Sequence, residues 1–239
     1  MKFDCIVGFG DSWMYGDELL DPSLAAAHSD AHTCWTQNDD YRQRHCFLGE
    51  LGHRYGVPTK NFGFPGSSLQ STMWNALWWM KQHGDAHPLV LVALTDANRT
   101  SWWNPAHQSH GSDPAWNRHI HSAWMHGSPW TIPRDWRDMI RAHTVLTDCS
   151  ALHELNYQQA VMFFDGVAAR LGCAVMQFNV MPAPCQISTP TLPWPDQDLV
   201  SAMQQHAGVL CAHGHPNEMG HQYIADLLQK HIDDAILVG

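Results

Sequence analysis

Ser12 sits just past an apolar run, Phe3 to Phe9, in the turn Gly10-Asp11-Ser12, and far along the chain stands His215-Pro216-Asn217, followed by Gly220-His221. A serine hydroxyl is a poor nucleophile until a neighbouring imidazole takes its proton, so the two residue types together suit acyl transfer. A strand that ends in a small-residue turn carries a hydroxyl to the rim of a sheet, where a histidine from a later loop can reach it. The tetrahedral intermediate of such a reaction needs fixed hydrogen-bond donors around its oxyanion. Gly66, in Gly63-Phe64-Pro65-Gly66-Ser67-Ser68, is a position where bare backbone can approach a substrate closely. Each string also has a plainer use as a turn, a helix cap or a helix start. Their order along one chain is what favours chemistry.

The elements that must hold these residues alternate. Phe3 to Phe9 and Leu89 to Leu94 (LVLVAL) are nearly continuous apolar runs, as parallel strands buried on both faces are. Short strands are also expected at Thr59 to Phe62 and Cys173 to Val180. Helical spacing links Phe47, Leu48, Leu51 and Tyr55, with Gly56-Val57-Pro58 as the stop, and it recurs over Leu69 to Gln82, Tyr157 to Leu171 and Asn217 to Leu228. Strands alternating with helices predict an α/β fold, a central parallel sheet of about five strands covered on both sides.

Residues 100–150 break this rhythm. They hold Trp102, Trp103, Trp116, Trp124, Trp130 and Trp136 among many histidines, and the stretch is too long for an ordinary connection. It reads as an insertion over the C-terminal edge of the sheet, where open α/β sheets bind ligands. Trp102 and Trp103 are candidate platforms for a sugar ring. A second irregular, proline-rich stretch runs from Met181 to Asp198. The whole chain, 1–239, is expected to form one domain.

Composition narrows the function. With 13 Lys and Arg against 23 Asp and Glu, the net charge of -10 offers no basic face for phosphates, so nucleic acid is not an expected partner. No run approaches the roughly 20 apolar residues of a membrane span. The first residues lack the pattern of a secretory signal, which predicts a cytoplasmic protein, or a virion-associated one if phage-encoded. Seven cysteines without a CxxC pair are expected to be reduced thiols.

Gly10-Asp11-Ser12, Asn61-Phe62-Gly63-Phe64-Pro65-Gly66 and His215-Pro216-Asn217 resemble, in order, blocks I, II and V of the SGNH (GDSL-type) hydrolases. The strings GDSWMYGDEL and NFGFPGSS resemble a branch of that family found in phage and environmental genomes. The resemblance implies a flavodoxin-like α/β/α sandwich and esterase, lipase or carbohydrate-deacetylase activity. It implies Ser12 as nucleophile and His215 as base, with the Ser12 and Gly66 backbone N–H groups in the oxyanion hole. Block III of the family reads Gly-x-Asn-Asp, whereas this chain has Thr95-Asp96-Ala97-Asn98-Arg99. Asn98 is the candidate third oxyanion donor, Thr95 the fallback, and Arg99 and Asp11 are candidate substrate contacts. The family's aspartate three residues before the histidine is replaced by Ala212, leaving Asp96 or Asp17 as candidates for the acid that orients the imidazole.

His213, His215 and His221, and the pair His119 and His121, have ligand-like spacing, but no His-Glu-x-x-His string occurs and no metal or other cofactor is assigned. The expected function is hydrolysis of a carboxylic ester through an acyl-enzyme, on a small acyl group such as acetyl carried by a carbohydrate. The expected partner is thus a small-molecule or glycan ester. The alternative is a catalytically weak or inactive glycan-binding module on the same scaffold, which the absent aspartate favours.

Overall fold

Four apolar segments pair side by side in parallel to make the central sheet: β1 (Cys5–Gly10), β2 (Thr59–Gly63), β3 (Pro88–Leu94) and β6 (Ala174–Asn179), in the order β2-β1-β3-β6. The computed structural model describes residues 3–28, 34–83, 87–99, 101–103, 119–121 and 149–238. Between β3 and β6 in sequence, β4 (Ser101–Trp103) and β5 (His119–His121) form a separate antiparallel pair, with Trp102 opposite Ile120. The rest of the expected 100–150 insertion lies outside the described residues, as do the side chains of Trp102 and Trp103.

The strands read as apolar runs because both faces of the sheet are covered. On one face Ile6, Leu89, Leu91, Ala93, Met176 and Phe178 pack with Leu48 and Leu51 of α3 (Phe47–Tyr55) and with Ile224, Leu228 and Ile232 of the last helix, α7 (Glu218–Val238). On the other, Val7, Phe9, Val90, Val92 and Leu94 meet Leu69, Ala76 and Trp79 of α4 (Leu69–Gln82) and Tyr157, Val161 and Phe164 of α5 (Ser150–Leu171). The result is the expected three-layer α/β/α arrangement. Burying each such Leu, Ile or Phe side chain contributes roughly 1.5–3 kcal/mol.

The described sheet has four parallel strands rather than about five. The stretch after β6 carries Pro182, Pro184, Pro190, Pro193 and Pro195, which cannot donate to a ladder. It makes a single parallel bridge, Asn179 to Asp198, before α6 (Leu199–Gln204) begins. Helix α5 starts earlier than its apolar periodicity suggests, because none of the residues before Tyr157 is buried.

Chain direction decides where a site can form. From β1 the chain crosses to β2 on one side, while β3 lies on the other, so the connections diverge at the carboxyl ends of β1 and β3. That is where open α/β sheets leave a crevice. Asp11 and Ser12 follow β1 there, and Thr95 to Arg99 follow β3.

Candidate active site

The turn after β1 is built to fix Ser12. Asp11 is fully buried and caps the four-residue helix α1 (Ser12–Tyr15), its Oδ1 accepting from the Trp13 N–H at 3.0 Å. As the first residue of α1, Ser12 has a backbone N–H with no acceptor inside the helix. Gly16 ends the helix at φ 82°, returning its N–H to the Ser12 carbonyl. The Asp17 N–H also reaches that carbonyl, at 3.0 Å. Glu18 follows at φ 65°, the one non-glycine at positive φ among the described residues. These two left-handed residues turn the chain back so that Glu18 lies beside α1 rather than running away from it.

His215 is carried on a tight hairpin before α7. The Cys211 N–H donates to the His215 carbonyl at 2.7 Å, Gly214 sits at φ 90°, and Leu210 bridges Pro216. Asn217 closes the hairpin by donating to the Val209 and Gly208 carbonyls, and its Oδ1 accepts from the Gly220 N–H at the start of α7. Pro216 and Asn217 therefore belong to the presentation of the imidazole.

The two halves meet through side chains. The Nε2 of His215 lies 2.9 Å from the Ser12 Oγ, and its Nδ1 lies 2.8 Å from the Glu18 Oε2. The same carboxylate accepts the His215 backbone N–H at 3.1 Å and the His213 N–H at 3.2 Å. Glu18 thus holds the hairpin and the ring together. A carboxylate at Nδ1 fixes the proton there and leaves the Nε2 lone pair facing the serine hydroxyl.

This corrects the expected acid. Neither Asp17 nor Asp96 faces Nδ1. Asp17 places Oδ2 at 3.9 Å from Nε2, on the serine side and beyond hydrogen-bonding distance, while its Oδ1 accepts from the Glu18 N–H. Asp96 accepts the Asn98 N–H and closes the turn after β3. Glu18 was missed because the family pattern places the acid close before the histidine, whereas this carboxylate lies six positions after Ser12. The available signal was the acidic pair Asp17-Glu18 directly after Gly16, combined with Ala at 212.

In the turn after β3, the Asn98 side chain is exposed and its backbone N–H donates to Asp96. Thr95 is buried and donates to the Asp11 Oδ2 at 2.6 Å. Arg99, proposed above to meet substrate, is buried and pairs with Asp11 at 2.9 Å, so both charges face each other instead of the crevice. Gly66 is half-buried at φ 77° in the loop between β2 and α4, a conformation natural to glycine. That loop is tied to the end of β1 by the Phe64 N–H, which donates to the Gly10 carbonyl at 3.1 Å.

Two groups behind the site stay neutral. His221 is fully buried, and its Nδ1 accepts the Phe47 N–H at 3.2 Å at the start of α3. Burial, then the neighbouring His215, pushes its pKa down to about 3. Burial, then Glu18 and Asp17, pushes the Cys211 thiol up to about 11. No group of three or more His, Cys, Asp or Glu side chains suited to a metal ion occurs among the described residues, and the side chains of His119 and His121 lie outside them. No described helix is long and apolar enough to cross a membrane.

No protein-family model matches the chain, and no curated protein matches it. Among solved structures, the psychrotrophic esterase EstA from a Pseudoalteromonas species is similar over 98% of both chains at 10% identity, with a TM-score of 0.46. A member of the lipolytic protein G-D-S-L family from Veillonella parvula is similar over 92% of this chain and 93% of its own, at 14% identity and a TM-score of 0.38. The lipase/acylhydrolase from Enterococcus faecalis is similar over 97% and 96%, at 14% identity and a TM-score of 0.35.

Proposed function

We propose that this chain is a serine ester hydrolase of the SGNH (GDSL) type, with Ser12 as nucleophile, His215 as general base and acid, and Glu18 as the orienting carboxylate. The observation that carries this reading is the continuous contact from Ser12 Oγ through both ring nitrogens of His215 to Glu18, at 2.9 and 2.8 Å. As Ser12 Oγ bonds to the acyl carbon, its proton passes to Nε2, and Glu18 stabilises the resulting imidazolium. The carbonyl electrons move to the oxygen, which accepts from the Ser12 and Gly66 backbone N–H groups of the proposed oxyanion hole. Collapse of the intermediate expels the alkoxide, which takes the proton from Nε2 and departs as alcohol. Water then repeats the sequence on the acyl-enzyme, releasing the acid and restoring Ser12.

The finer reading is a small acyl group, such as acetyl, on a carbohydrate. Its supports are the strings GDSWMYGDEL and NFGFPGSS and the tryptophan-rich stretch 100–150. The rival, a non-catalytic glycan-binding module, drew on the absent acid at 212; Glu18 at Nδ1 removes that motive. Incubation with p-nitrophenyl acetate is the test. Turnover that Ser12→Ala abolishes, together with fluorophosphonate labelling at Ser12, supports the hydrolase. No turnover and no labelling would overturn it.

A further inference from the structure

Arg99 spends a buried charge on two segments that belong to different crossovers. It is 5% exposed and its partner Asp11 is fully buried. One atom, Nη1, lies 2.9 Å from the Asp11 Oδ2 and 3.3 Å from the Ser67 carbonyl oxygen. Asp11 is the residue before Ser12, and Ser67 is the residue after Gly66. The guanidinium therefore spans the two stretches of backbone whose N–H groups the proposed oxyanion hole uses.

We propose that Arg99 is a positioning residue: it clamps the Gly66 loop to the nucleophile turn and so sets the geometry of the oxyanion hole, an inference that rests on the hydrolase reading above. Gly66 at φ 77° has no side chain to hold it, so its amide direction depends on its neighbours. Upstream, the Phe64 N–H is fixed to the Gly10 carbonyl, and downstream the Ser67 carbonyl is fixed by Arg99. The glycine is held from both sides. On the far side of the clamp, Asp11 is itself locked by the Trp13 N–H and the Thr95 hydroxyl, so Arg99 pulls against a rigid anchor. A buried ion pair is a poor source of net stability compared with an apolar pair of similar volume, and fixing register is its best-attested use. In this turn the neighbouring Asn98 side chain is exposed, leaving Arg99 as the residue that reaches the loop.

The test compares the unsubstituted protein with Arg99→Met by hydrogen exchange and by p-nitrophenyl acetate kinetics. The amides of Phe64, Gly66 and Ser67 should exchange about tenfold faster in the variant while those of β1 and α4 stay unchanged. The kcat should fall on the order of 10²-fold, the cost of a misaligned oxyanion donor, with KM within about threefold. Guanidinium ion at millimolar concentration should restore part of the kcat of Arg99→Ala, which a general loss of structure would not permit. Should Arg99→Met fail to fold, Arg99→Lys keeps a charge beside Asp11 on a side chain one bond too short to hold the Ser67 carbonyl as Nη1 does, and the same exchange change is expected. Unchanged exchange at Phe64, Gly66 and Ser67, or unchanged kcat, overturns the clamp. Absence of turnover and of Ser12 labelling in the unsubstituted protein overturns the hydrolase reading instead, and the exchange measurement still decides whether Arg99 holds the loop.

Discussion

Glu18 and His215 are 197 positions apart, yet one carboxylate oxygen of Glu18 accepts both the ring Nδ1–H and the backbone N–H of His215. The acid therefore sets where the imidazole sits as well as which nitrogen carries the proton. Glu18→Gln keeps the size but cannot stabilise an imidazolium, and it permits the wrong tautomer. A kcat loss of about 10²–10⁴-fold is expected, with KM little changed. Asp17→Asn, altering a carboxylate 3.9 Å from Nε2 rather than one at Nδ1, should cost far less. Steady-state kinetics on the two variants decide; equal losses would contradict the assignment of Glu18.

Asn98 and Gly66 offer a second contrast. The Asn98 side chain is exposed, whereas Gly66 is at φ 77° in the loop beside the nucleophile. Asn98→Ala, at an exposed side chain, should leave kcat within about threefold, the usual scale of a surface substitution. Gly66→Ala forces a side chain into a left-handed conformation at about 1–2 kcal/mol and disturbs the amide direction, so kcat should drop at least tenfold. A large loss for Asn98→Ala would restore Asn98 as an oxyanion donor.

These contrasts bear on what could be read from residue order. Phe3–Phe9 and Leu89–Leu94 announced themselves as buried parallel strands because both sheet faces are covered, which leaves no polar alternation to blur the signal. Ser12 and His215 could be paired because local strings mark both. Glu18 could not, since its place depends on two successive left-handed turns, Gly16 at φ 82° and Glu18 itself at φ 65°, and a glutamate at positive φ has no local signature. Asp11 and Arg99 were visible as charges, but a charge in a sequence does not reveal whether it faces solvent or another charge. Only the convergence of the turns after β1 and β3 shows that they face each other.

Gly63 gives a prediction about the scaffold. A Cβ there would lie 2.4 Å from the Tyr15 N and 2.7 Å from the Met14 backbone carbon, both in the helix that begins with Ser12. Backbone cannot swing aside as a flexible side chain can. Gly63→Ala should therefore push α1 off the end of β2, destabilising the fold by about 1–3 kcal/mol, as overpacking does, and displacing Ser12 from His215. Chemical denaturation would show the first effect and slowed fluorophosphonate labelling the second. Gly56→Ala, where a Cβ meets nothing within 4 Å although φ is 66°, would show the backbone strain without the clash. Equal labelling rates in the two variants would count against close packing at Gly63 as the reason for its size.

His221 makes stability depend on pH in a definite direction. Its pKa is held at about 3 by burial first and by His215 second, against 6.5 for an ordinary imidazole. Between those values the unfolded chain binds a proton that the folded chain refuses, so the stabilisation is complete above pH 6.5 and drains away as pH falls toward 3. The slope from this one group is about 1.4 kcal/mol per pH unit. His221→Asn keeps a side-chain acceptor for the Phe47 N–H without a titrating ring; it should be less stable at pH 7 but lose less on going to pH 5. Urea unfolding midpoints of both proteins at pH 7, 6 and 5 measure the difference. Parallel declines would mean that His221 accepts a proton in the folded state without penalty, and the sealed, neutral ring near His215 would have to be abandoned.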